Sequence, residues 1–182
     1  MRALLLPVLL IPALASADDK KKEAPKPIPP PTAPGEVKAT VDAFKGNWTF
    51  DAELSAPGMD KPAKFKMSFN CKPVAGNQAV SCDAKAKTPV GPLDALFVIA
   101  YDPYSKAVHF IGVTNQNEVH DHVCNWKGAD LTCNPLKAGT GPGGDEIVED
   151  VSVKIEKTVA SFSSVSKLKG GGVVKFEGKG KR

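Results

Sequence analysis

Apolar and polar residues alternate with a period of two along most of the chain beyond residue 45. In NWTFDAEL, Trp48, Phe50, Ala52 and Leu54 alternate with Asn47, Thr49, Asp51 and Glu53. In KFKMSFNC, Phe65, Met67, Phe69 and Cys71 alternate with Lys64, Lys66, Ser68 and Asn70. Successive strand side chains point to opposite faces, so this pattern predicts antiparallel strands with one buried and one wetted face. Turn signals such as Ala56-Pro57-Gly58, Gly76-Asn77, Gly91-Pro92, Gly128-Ala129 and Gly170-Gly171-Gly172 separate the runs.

The spacing predicts strands near 46–55, 62–73, 79–87, 94–101, 107–114, 118–127, 130–134, 147–157, 159–168 and 173–179. A short helical turn over Val37–Phe44 precedes them, and the glycine-rich stretch 138–144 is the longest irregular piece. About ten sequential strands joined by short turns close most simply into an all-β, up-and-down antiparallel barrel, which leaves no free edges. A two-sheet β-sandwich is the alternative.

The four cysteines allow three pairings, and hairpin geometry selects one. Cys124 and Cys133 are symmetric about a Gly128-Ala129 turn, which sets Lys127 opposite Asp130 and Trp126 opposite Leu131. Cys71 and Cys82 are symmetric about Gly76-Asn77. A four-residue loop, Ala75 to Gln78, puts that pair at a non-hydrogen-bonded position, where side chains lie close, and frees Pro73 from donating to Val80. The spacings of 9 and 11 residues do not suit structural zinc, which favours cysteines two to four apart. Cys71–Cys82 and Cys124–Cys133 are therefore expected as disulfides.

Cysteines pair in oxidising compartments, and the N-terminus agrees. Arg2, the apolar run Ala3–Leu14 and Ala15-Ser16-Ala17 read as a signal peptide over residues 1–17, cleaved after Ala17. The run is too short to span a bilayer, which needs about 20 apolar residues. Residues 18–35 hold six prolines, four lysines and three acids and read as a disordered linker. Residues 36–182 are left as a single domain of a secreted or periplasmic bacterial protein. The net charge of +4 falls to +3 once Arg2 is removed; Asp18, Asp19 and Glu23 nearly cancel the linker lysines and no aromatic platform accompanies the basic C-terminus, so no nucleic-acid partner is expected. The C-terminal KLKGGGVVKFEGKGKR carries six basic residues against one acid and is suited to weak contact with an anionic envelope surface.

The candidate chemistry lies in EVHDHVCNWKGADLTC, residues 118–133. His120, His122, Cys124 and Trp126 share one strand face. A two-residue turn at Asn115-Gln116 would set His109 opposite His122, giving three imidazoles on one face, a set that takes zinc with an open position for water. Slipping the register by one residue sends His109 to the other face. The opposing reading is that these histidines are polar groups near a barrel mouth. No Gly-x-Ser-x-Gly elbow, phosphate-binding glycine loop or free cysteine is expected, so no catalytic residue is assigned. Asn47-Trp48-Thr49 matches a glycosylation sequon beside a core tryptophan.

Gly46-Asn47-Trp48 at the entry of the first strand resembles the Gly-x-Trp opening of lipocalin-like (calycin) barrels. FKGNWTFDAEL, followed by IAYDPYSKAVHFIGVTNQNEV with its Tyr101-Asp102-Pro103 turn, is similar to an exported bacterial lipocalin-like family of unknown function. The resemblance implies a barrel with an interior cavity and no established activity. The two cystine-spaced hairpins and the lysine-rich C-terminus depart from that family's pattern.

Three functional readings follow. The first is a barrel binding a small apolar or amphipathic molecule at Trp126, His120, His122, Phe65, Met67 and Phe69, with no cofactor. The second is a metal-dependent, hydrolase-like enzyme using His109, His120 and His122. The third is a ligand-free envelope protein acting through its surface. Face parity favours the first: a face combining tryptophan, leucine and a disulfide should turn inward, where unpaired histidines would cost about 1–3 kcal/mol each unless a cavity receives them.

Overall fold

A computed structural model describes residues 35–141 and 146–182. The expected signal peptide and all of the expected linker except Gly35 lie outside the described residues. A helix, α1 (Gly35–Phe44), leads into β1 (Gly46–Ser55), β2 (Ala63–Val74), β3 (Ala79–Thr88), β4 (Gly91–Asp102), β5 (Ala107–Thr114) and β6 (Val119–Lys127). There follow β7 (Asp130–Pro135), the two-residue β8 (Gly139–Thr140), β9 (Glu146–Glu156), β10 (Val159–Leu168) and β11 (Val173–Lys181). All pairings are antiparallel; β9 and β10 form a hairpin and the first and last strands, β1 and β11, pair, so the ring is closed in the order β10-β11-β1-β2-β3-β4-β5-β6-β7-β9. The fold is a closed up-and-down barrel of ten long strands, not a sandwich. The expected irregular stretch differs in detail. Thr140 pairs with both Val119 and Glu146, and Gly139 lies so close to the Val119 carbonyl that a Cβ would sit 2.7 Å from it.

The alternation of the sequence becomes the two faces of the wall. Trp48, Phe50 and Ala52 of β1, Met67 and Cys71 of β2, and Val80, Cys82 and Ala84 of β3 are buried, while the residues between them face solvent or are partly exposed. Both cysteine registers are as expected: Cys71 faces Cys82, with Pro73 opposite Val80, and Cys124 faces Cys133 across the Gly128-Ala129 turn. The bridges have Cα separations of 4.0 and 3.9 Å, and no free cysteine remains.

The ring has two unlike ends. At the end where β1 begins, α1 turns Val37, Thr40, Val41 and Phe44 into the core as a plug. Trp126 Nε1 donates to Thr40 Oγ1 at 3.2 Å and Trp48 Nε1 to the Phe44 carbonyl at 2.7 Å. Arg182 seals the join: its guanidinium lies 4.9 Å from the Trp48 ring centroid and donates to the carbonyls of Asp42, Ala43 and Lys45 at the helix C-terminus. Gly46 crosses beneath with φ of 123°, a conformation favouring glycine, and a Cβ there would lie 3.2 Å from the Arg182 side chain. The opposite end has no such plug among the described residues and is ringed by the β1–β2, β3–β4, β5–β6 and β10–β11 turns. No helix among the described residues is long and apolar enough to cross a membrane.

Peptide mapping without reductant should recover the Cys71–Cys82 and Cys124–Cys133 linkages and no free thiol. Replacing Cys124 and Cys133 together with alanine should lower unfolding stability by about 2–3 kcal/mol, measured by denaturant titration. A linkage between the two hairpins would contradict the register.

Candidate functional site

The barrel interior holds a cavity of about 220 Å³. Its wall is mostly apolar, and inward positions on β1, β2, β4, β5, β10 and β11 carry phenylalanine. Ring contacts run from Phe162 to Phe50 (5.3 Å between centroids), Phe50 to Phe69 (5.4 Å), Phe69 to Phe97 (6.2 Å) and Phe97 to Phe110 (5.1 Å). Gly112 makes room for Phe97, since a Cβ on it would fall 2.2 Å from that ring. A larger depression, about 1180 Å³, lies on the outer surface among solvated charges such as Asp51, Lys66, Lys154 and Lys179. It lacks the enclosed apolar wall usual for small-molecule sites.

Towards the unplugged end the cavity wall turns polar, with Thr114, Glu118, His120, Glu149, Ser164 and Ser166. Glu149 is the hub. Its Oε2 sits 2.7 Å from His120 Nδ1 and 3.5 Å from His122 Nε2. Its Oε1 accepts from the Ser164 hydroxyl and, at 3.5 Å, from that of Ser166. The Glu149 backbone carbonyl accepts from His122 Nε2 at 3.0 Å. Glu118 Oε2 lies 3.8 Å from His120 Nε2 and accepts from Thr114 Oγ1 at 3.0 Å.

These contacts set the charges. Burial opposes a charge on His120, but hydrogen bonding to Glu118 and Glu149 outweighs it and raises the imidazole to about 9. Burial lowers His122, which stays neutral with its Nε2 proton on the Glu149 carbonyl; His122 Nδ1 is left buried and without a partner. Burial works to raise Glu149, and the hydrogen bond and charge of His120 override it, holding the carboxyl below its usual range.

The residues singled out from sequence are distributed unevenly. His120, Met67 and Phe69 line the cavity. His122 is 2 % exposed and stands behind the wall, stacked at 6.0 Å on His120. Phe65 stacks on Phe176 (5.7 Å) and is not itself among the lining residues. Trp126 belongs to the plugged end, against Phe44 (6.1 Å) and Thr40, whereas Trp48 lines the cavity.

His109 does not join the other histidines. It pairs with Val123, and Phe110 takes the place opposite His122. The cause is the turn: Asn115, Gln116 and Asn117 form a three-residue loop, with Asn117 at φ 64° and Thr114 N bonded to the Glu118 carbonyl at 3.1 Å. The Thr114 hydroxyl accepts from the amides of Gln116 and Glu118 inside that loop. One extra loop residue flips the strand's parity, and His109 faces outward. The three-histidine set is replaced by His120, His122 and Glu149, whose donor atoms all lie within 4.8 Å of one another.

Glu149 went unnoticed in the sequence, although Ile147, Glu149, Val151, Val153 and Ile155 share one strand phase and a carboxylate in an apolar phase is a signal. Ser164 and Ser166, in phase with Ala160 and Phe162, carry the same mark.

No family model matches the chain, and no curated protein sequence matches it. Among solved structures, Rv2717c from M. tuberculosis is similar, with a TM-score of 0.62 and 12% identity over 83% of this chain and 99% of that one. At that identity the likeness is one of fold.

The cluster makes stability depend on pH. His120 is raised from 6.5 to about 9, so its contribution is complete below pH 6.5 and is lost as pH rises through about 9. His122, lowered, contributes above 6.5 and loses that contribution as pH falls. Resistance to denaturant should peak near neutrality and decline by about 3 kcal/mol towards alkaline pH. In His120→Gln the alkaline decline should flatten; an unchanged slope would show that the ion pair does not form.

Proposed function

We propose that this chain is an exported, lipocalin-like barrel that binds a small apolar or amphipathic molecule in its interior. The observation that carries the reading is the cavity: about 220 Å³, walled by aromatic rings, with a few convergent polar groups at one end. Its size suits a molecule somewhat larger than benzene, which fills an apolar cavity of about 150 Å³, rather than a long-chain lipid. Export is supported by the buried cystines and by the signal-like N-terminus. The molecule enters at the unplugged end and seats its apolar part against Phe50, Phe69 and Trp48.

Trp48 is the natural reporter. In Trp126→Phe, which keeps Trp48 as the single tryptophan, titration with small aromatic compounds should give a saturable change in emission. Ala95 and Ala160 are small interior residues, and Ala160→Phe, projecting into the cavity, should remove that response while far-ultraviolet circular dichroism stays unchanged. A barrel that responds to no apolar compound contradicts the reading.

A second reading has one observation in its favour. His120 Nδ1, His122 Nε2 and a Glu149 oxygen are grouped like the donors of a two-histidine, one-carboxylate metal site. Against it, His122 Nδ1 has no acceptor, whereas a ligating histidine ordinarily donates its second nitrogen to one. Cobalt(II) added in equimolar amount tests this: a metal site should give visible d–d absorption that His120→Ala abolishes, and a colourless protein ends this reading.

A further inference from the structure

The polar end of the cavity is unbalanced in charge. Two carboxylates, Glu118 and Glu149, line it with a single histidine, His120, which lies against both and can offset only one of them; His122 stands behind the wall with its Nε2 on the Glu149 carbonyl. Among the described residues, no lysine or arginine lines the cavity to offset the remaining negative charge. The serine and threonine hydroxyls there donate to the carboxylates but bring no charge. An uncompensated charge in an apolar enclosure is costly and is relieved by a counter-charge from outside.

The wall beside this end adds a second, independent preference. Phe97 lies 6.0 Å from the His120 ring and 5.1 Å from Phe110, and both phenylalanines line the same cavity as the two carboxylates. Aromatic faces attract cations and combine with carboxylates in sites that recognise organic ammonium groups. A carboxylate-headed ligand meets the opposite situation: it would bring a second unpaired negative charge, with only the already paired His120 to receive it.

We infer that the ligand of this cavity is a small organic ammonium compound, its cationic head held between Glu118 and Glu149 against Phe97 and Phe110 and its apolar body directed towards Phe50 and Trp48. The inference rests on the binding-barrel reading and specifies the chemistry of the head group. It excludes fatty acids as the preferred class. A protonated amine has three N–H donors; Ser164, Ser166 and His120 occupy Glu149, whereas Glu118 accepts from Thr114 and lies 3.8 Å from His120, so among the described residues Glu118 presents the freer acceptor positions.

The test uses three probes of one shape, phenethylamine, phenethyl alcohol and phenylpropionate, titrated calorimetrically into the oxidised protein at neutral pH and low salt. The amine should bind at least tenfold more tightly than the alcohol, and the carboxylate should bind most weakly. Glu118→Gln removes one carboxylate from the cavity rim together with its 3.8 Å contact to His120, leaves the side-chain partners of Glu149 in place, and should bring amine and alcohol to within about threefold of each other. Glu118→Asp should retain the amine preference, which a merely structural role for Glu118 would not predict. Equal affinity for amine and alcohol, or preference for phenylpropionate, overturns the inference while leaving the binding barrel standing. Absence of saturable binding for all three probes, together with silence of the Trp48 emission, overturns both.

Discussion

Removing the Glu149 carboxylate from water costs several kcal/mol unless its oxygens are paired, and the arrangement of three strands meets that condition. His120 on β6 supplies an ion pair, Ser164 and Ser166 on β10 supply hydroxyls, and the next inward position of β6, His122, holds the Glu149 main chain. Because β9 lies between β7 and β10 in the ring, these contacts tie a side chain of one strand to strands on both sides of it. Losing one partner would leave a charge exposed to phenylalanine rather than to water.

That polar knot and the helical plug divide the interior between them. At one end Trp126, Phe44 and Trp48 are fixed by hydrogen bonds to Thr40 and to the main chain, so the floor is rigid and filled. At the other end the polar atoms are satisfied mainly by one another, and the space beside them is left open. A cavity with a packed floor and a charged rim orients what enters it, since an apolar group gains by descending and a polar one by staying near the rim.

Much of the barrel was legible because its signals are local. Period-two alternation and the symmetry of Cys71/Cys82 and Cys124/Cys133 about glycine-containing turns specify strands and register together, and both are short-range properties. His109 was misplaced because a two-residue and a three-residue turn are both compatible with TNQNE, and only the Thr114 hydroxyl's bonds within the loop decide between them. The site was less legible for a different reason. Glu149 meets His120 across 29 residues, through a pairing of β7 with β9 that no local pattern specifies, and the Ile147-Val148 start of that strand leaves its phase ambiguous. Trp126 shared the correct face with His120 but lies further along the strand, beside the helix, and parity carries no information about depth.

The distribution of covalent and non-covalent links has a consequence for how the ring assembles. Both cystines bridge neighbouring strands within a hairpin, so oxidation shortens local loops and can proceed before the ring exists. The seam is different: Thr49 pairs with Lys181, Phe50 with Gly180, and beyond the ladder it is held by Arg182 on Trp48 and the helix end and by ring contacts such as Phe65 on Phe176, none of them covalent. Closure therefore joins segments separated by nearly the whole domain, the slowest kind of contact to form because its loop entropy is met last. An oxidised chain can hold both hairpins while β1 and β11 remain unpaired strand edges. The barrel's exposure to mispairing with other chains is governed by the rate at which that seam zips, and disulfide formation does nothing to shorten it.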